Sequence, residues 1–215
     1  MLPPREVIIS AHQKLTKLLR YIVIDITLTY VLAAVFYADA FHFWQHALSE
    51  LGTTVTLLGT PNLAAMIVIT IGMFISGRLL LEAANLYRDN PQFTKSSVKR
   101  ILFSIASLGS FIIIFPNNLF HAIHSIGSAL LIGSVFFIDL LILREQGSSH
   151  KSLAIQLAAG ILWMTVLAYA VTYAAGLEIK QAIQKICVIN LLVIFYERSC
   201  NTQIISNLSI RPQLT

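Results

Sequence analysis

The sequence predicts an all-α, polytopic membrane protein built as a six-helix bundle. Two observations about composition come first. Hydrophobic residues fill 56% of the 215 positions and charged residues only 12%, whereas a soluble domain needs roughly 25% charged residues to cover its surface. Mean hydropathy is +0.75. The third observation is patterning: the apolar residues gather into six runs, each at or near the ~20 residues a helix needs to cross hydrocarbon. The net charge of +5 does not point to nucleic acid. The basic residues flank apolar runs and form no single stripe.

The first run, Leu18–Ala38, is too long for the core of a cleavable signal. Ala38-Asp39-Ala40 is a weak cleavage match, so the run reads as an anchor that stays in the protein. The second, Asn62–Leu86, carries Gly72 and Ser76 at i, i+4, a small-residue face for close helix approach. The third, Val98–Phe115, is short and repeats Ser104, Ser107 and Ser110; Pro116 ends it. The fourth, Leu119–Leu143, has Asn118 in capping position and Ser125, Ala129 and Gly133 as its small face. The fifth is Ser152–Ala175. The sixth, Ala182–Tyr196, is short and has Gln184 and Lys185 in its first turn, where Lys185 would snorkel to the interface.

Loop charges orient the bundle. Arg5, Lys14, Lys17 and Arg20 precede the first run. Arg88, Lys95, Lys99 and Arg100 follow the second, Arg144 and Lys151 the fourth, and Arg198 and Arg211 the sixth. Twelve of the 15 basic residues therefore fall on one side, which makes both termini cytoplasmic. The expected organisation is an arm at 1–17, a transmembrane domain at 18–200 and a tail at 201–215. Cys187 and Cys200 would lie roughly 20 Å apart along one helix, too far for a disulfide. The absence of a cleavable signal and of disulfides favours a prokaryotic plasma membrane.

The longest exterior connection, 39–61, interleaves Phe41, Phe43, Trp44, Leu48 and Leu51 with His and Gln at helical spacing. That pattern predicts a short amphipathic helix lying in the interface, ended by Gly52. It would present His42, His46 and Glu50 on one face, with Ser49 beside them. His121 and His124, at i, i+3, open the fourth run at the same membrane depth. Imidazole pairs with a carboxylate suit zinc, and a zinc-bound water could attack a lipid ester, with Glu50 as acid/base and Ser49 in support. Interfacial, hydrogen-bonding histidines and a bound haem are the competing readings.

A second polar set lies in the cytoplasmic half: Asp25, the i, i+4 pair Arg78 and Glu82, and Asp139. Intramembrane charges are costly and are functional candidates by default. An interhelical bridge from Arg78 to Asp25 or Asp139 is one expectation, and an anion or lipid-headgroup site around Arg78 is the other.

Ser49-Glu50-Leu51-Gly52 after the first run, Phe115-Pro116 followed by His121 and His124, and Gln184-Lys185 opening the sixth resemble a prokaryotic family. That family is catalogued as domain of unknown function 998. Its layout is similar to the Frag/DRAM/Sfk-like six-helix membrane proteins. The resemblance spans residues 15–200. It implies six helices and a Ser/acid/Gly loop facing a His-bearing helix, and implies no particular reaction. Membrane hydrolases using Ser, Asp and three His are broadly analogous, but this chain lacks their paired His on a last helix and a seventh span.

Three functions follow as expectations. One is lipid binding or sensing, or support of a membrane-protein partner or a second copy. Another is a metal-dependent hydrolase acting on a lipid at the outer leaflet. The third is a small transporter or channel, although the inverted repeats and broken helices of many transporters are absent.

Overall fold

The computed structural model describes residues 5–147 and 153–208, with side chains over 9–145 and 153–197. Lys151 and Arg211 lie outside the described residues. Six helices follow in order: α1 Arg5–Val35, α2 Leu63–Asp89, α3 Ser96–Ile113, α4 His121–Gly147, α5 Leu153–Ala174 and α6 Lys180–Leu208. The first five are long and apolar enough to cross a membrane.

Helix α1 already begins at Arg5, within the basic stretch that precedes the first apolar run. Leu15, Leu18, Leu19, Ile22 and Ile26 are all buried, at the spacing of one helix face. Lys14, just before them, and Lys17, among them, are exposed.

The amphipathic helix expected over residues 41–51 does not form. Residues 43–45 make a turn, and only Leu48–Gly52 is helical, as a 3-10 helix. An α-helix would spend the His46 carbonyl on the amide of Glu50. Here that amide goes to Ala47 O at 3.1 Å, and the His46 carbonyl accepts from the Lys185 ammonium. A tertiary bond thus competes with the local pattern and wins.

Helix α1 packs on α2 and α6, α2 on α3, α3 on α4, and α5 and α6 close against α4 and each other. Small residues permit the tightest contacts. A Cβ on Gly109 of α3 would meet the backbone of Gly127 and Leu131 in α4, and one on Gly72 of α2 would collide with Thr29 of α1. Ser107 Oγ donates to Gly77 O at 2.7 Å and Ser110 Oγ to Met73 O at 2.8 Å. These hydroxyls join α2 to α3 across the interface. Gly133, expected on the packing face of α4, instead faces open space. The main core centres on Met73, Leu80, Phe103 and Ile138, with Tyr87 stacked on Phe103 at 5.5 Å.

Only Leu162 of α5 is buried. Leu157, Ile161, Met164 and Val171 of α5 are exposed. A helix apolar on every side belongs in lipid or a core, and this one has lipid available on most of its surface.

Gly109→Ala should lower thermal stability in detergent by about 1–3 kcal/mol, the usual range for overpacking, because the opposing atoms are backbone and cannot rotate away. Gly133→Ala should leave the melting temperature unchanged. Equal melting temperatures for wild type and Gly109→Ala would contradict the α3–α4 packing.

Candidate functional site: a capped apolar cavity

The connections α1–α2, α3–α4 and α5–α6 meet at one end of the bundle and knit into a cap. Asp39 accepts from the Thr56 and Thr60 hydroxyls, the latter at 3.0 Å. Asn62, at 1% exposure, donates to Leu51 O at 3.3 Å and Thr53 O at 3.1 Å and accepts from Ala38 N at 3.3 Å. Asn118 does not cap α4. Its side chain clasps Thr54, accepting from the amide at 3.1 Å and donating to Oγ1 at 2.8 Å.

Lys185 is the innermost tie. It does not snorkel outward, being only 1% exposed. Its ammonium donates to His46 O and to Gln181 O, the latter at 2.9 Å, and sits over the Phe43 ring. From the preceding residue, Gln184 Oε1 accepts from Leu48 N at 3.0 Å, and its Nε2 donates to Tyr169 Oη at 3.3 Å. Tyr37, just past α1, lies under the same cap; burial first, and then the Glu50 carboxylate, push its phenol above the ordinary tyrosine range.

The sequence-derived metal set does not assemble. Among the described residues no three His, Cys, Asp or Glu side chains converge as metal ligands. His42 and His46 are neighbours, ring centroids 5.7 Å apart, and His46 Nδ1 is 3.8 Å from Glu50 Oε2. His121 Nδ1 instead bonds Asn117 Oδ1 at 2.8 Å, and Asn117 Nδ2 is 3.5 Å from Ser49 Oγ. His124 Nδ1 bonds the Phe115 carbonyl at 3.0 Å. A carbonyl only accepts, so Nδ1 carries the hydrogen. His121 and His124 are thus spent on separate local partners, and Asn117 links His121 to Ser49.

Beneath the cap, residues of α1, α2, α3, α4 and α6 line a partly open cavity. It offers about 70 Å³ to the centres of water-sized molecules, several times the ~10–15 Å³ that one water needs. Its walls are Ile26, Tyr30, Ile69, Met73, Leu131 and Leu191, and its polar lining groups include Ser49, His124 and Gln184. The sequence placed Ser49 and His124 near the mouth. It did not anticipate the chamber, which depends on the distance between non-adjacent helices.

The second polar set also separates. Asp25 Oδ2 accepts from Ser76 Oγ at 2.5 Å. Glu82 pairs with Lys14 at 3.2 Å, and Arg78 is exposed. The expected bridge from Arg78 to Asp25 or Asp139 is absent. Geometry explains this: Ser76 and Arg78, two residues apart on α2, point to different sides of the helix. Asp139 is fully buried, and neither oxygen has a hydrogen-bond partner among the described residues. A part-buried ion pair that the sequence reading did not propose joins Lys99 to Glu145 at 2.6 Å, with Tyr87 beneath the ammonium. Its signal was present: Lys99 shares the buried face of α3 with Ser96, Phe103, Ala106 and Ser110.

No protein-family model, curated protein or solved structure matches the chain.

Two outcomes are expected. Lys185→Met should destabilise the protein and raise hydrogen exchange at the Leu48 amide, since it frees the cap from α6; unchanged exchange would refute that tie. Asp139→Leu should hold or raise the melting temperature. An unpaired buried carboxylate costs several kcal/mol as an anion, so a sharp fall in melting temperature would reveal a partner for it.

Proposed function

We propose that this protein is a six-span membrane protein that binds an amphiphile in the capped cavity, without catalysing its conversion. The carrying observation is the chamber itself: apolar walls, few polar groups, and no convergent metal ligands among the described residues. A slender apolar chain would lie along Ile26, Met73 and Leu131. Its polar end would meet Ser49, His124 Nε2 and Gln184, which offer hydrogen bonds and no free charge. This is the usual composition of a small-molecule site, mostly apolar with a few placed polar groups.

The loop-charge pattern supports placing the cap outside and both termini in the cytoplasm, with α6 as the sixth span. The Ser/acid/Gly loop standing over a His-bearing helix fits the resemblance to the domain of unknown function 998 family. A hydrolase would need both His pairs on one metal, which their local bonds oppose.

The test is lipid extraction and mass spectrometry of protein purified in mild detergent. Wild type should carry a stoichiometric lipid. Met73→Trp, which fills the chamber, and Ser49→Phe, which blocks its mouth, should lose it several-fold. Ile71→Trp, on the exposed side of α2, should not. Retention of the same lipid by both filled variants would sink the proposal.

A further inference from the structure

A second surface feature lies at the opposite end of the bundle. Between α2 and α3 runs an open groove with Arg88 and Asn85 on one bank and Arg100 and Ser104 on the other. Its floor is apolar, with Ile101, Ile105 and Leu108 of α3. The helices close beyond it, where Ser107 bonds Gly77 O.

The groove is graded along the helix axis. Leu108 lies roughly 12 Å from Arg100 at 1.5 Å per residue, so guanidiniums mark the rim and branched aliphatics the interior. Several neighbouring cations at this end already have partners: Lys14 holds Glu82 and Lys99 holds Glu145. Arg100 is exposed and forms no salt bridge among the described residues. Arg88 Nε contacts Asp89 Oδ1 at 3.0 Å, a solvent-exposed pair of adjacent residues worth little, and its terminal nitrogens remain as donors. Arg78 is exposed on the same side of α2, seven residues from Asn85.

We infer that this groove binds one anionic phospholipid. Its phosphate would sit between Arg88 and Arg100, whose forked donors suit phosphate oxygens, with Asn85 and Ser104 close by. One acyl chain would lie along Ile101, Ile105 and Leu108. Two guanidiniums opposed by one exposed carboxylate select a net-negative headgroup over a zwitterion. Basic pockets between spanning helices on the positively charged side are a recurring way of holding such lipids. This site is separate from the capped cavity and shares no lining residue with it.

The experiment is native mass spectrometry of the full chain, titrated with phosphatidylglycerol or phosphatidylcholine of identical chains. Wild type should retain phosphatidylglycerol several-fold more. Arg88→Gln/Arg100→Gln should erase that preference. Arg100→Lys, which keeps the charge and is the gentler change, should weaken it. Glycerol 3-phosphate, lacking acyl chains, should not displace the lipid. Met73→Trp should keep the preference, so failure of the cavity reading leaves a distinct result. Equal retention of the two lipids by wild type, an undiminished preference in the double variant, or displacement by glycerol 3-phosphate would each overturn the inference.

Discussion

The buried ammonium of Lys185 is the constraint on which the connection end of the bundle depends. A cation taken out of water must find acceptors, and those it finds are the carbonyls of Gln181 and His46. The first is local to α6. The second is 139 residues away in sequence, in the α1–α2 connection. Satisfying one side chain therefore fixes where the connection runs, denies it an α-helix, and brings Leu48 N onto Gln184. It also accounts for the place of α6, whose first turns are polar. That helix is held at its start by hydrogen bonds and further along by apolar packing of Leu191, Ile194 and Phe195. The same struts keep a chamber open, because a cap pinned by directional bonds cannot slump onto the apolar walls below it.

The helices were legible because hydrocarbon thickness imposes a run length that few other structures share. Their ends were less so. The start of α1 lay among lysines, where charge obscured the helical repeat of Leu15, Leu18, Leu19 and Ile22. The connection over 39–61 defeated pattern reading for a different reason. Phe and His interleave at helical spacing there, but Asn62 and Lys185 offer the backbone competing hydrogen bonds, and those partners are distant in sequence. The histidines show the same limit. Spacing correctly brought His42 beside His46. It carried no information on whether that pair and His121–His124 would share a centre, and His121 turns instead to Asn117, which reaches Ser49.

The intramembrane charges make a related point. Four residues selected by one rule meet four different fates: a serine hydroxyl for Asp25, a lysine for Glu82, exposure for Arg78 and unpartnered burial for Asp139. Helical phase separates them. Residues two or three apart on a helix can face a neighbour, lipid or another groove, and depth alone does not tell these apart. Lys99 reverses the lesson, since a residue counted as a loop charge proved to be a core member by its phase on α3.

The two ends of the bundle thus differ in kind. At the capped end two charges are tied up internally: Lys185 by carbonyls and Asp39 by hydroxyls. What faces the chamber is a set of neutral donors and acceptors. At the other end, Arg88 and Arg100 keep guanidinium donors directed outward beside an apolar floor. A ligand for the chamber, as proposed, would therefore be recognised by shape and by neutral hydrogen bonds, and would gain little from a formal charge that had to be desolvated there. A ligand for the rim groove would be recognised at an exposed edge, where its charge would cost little to accommodate and two cations would reward it. The same lipid is poorly suited to both places. The physical chemistry of the two sites separates an inserted, weakly polar occupant from a peripheral, anionic one.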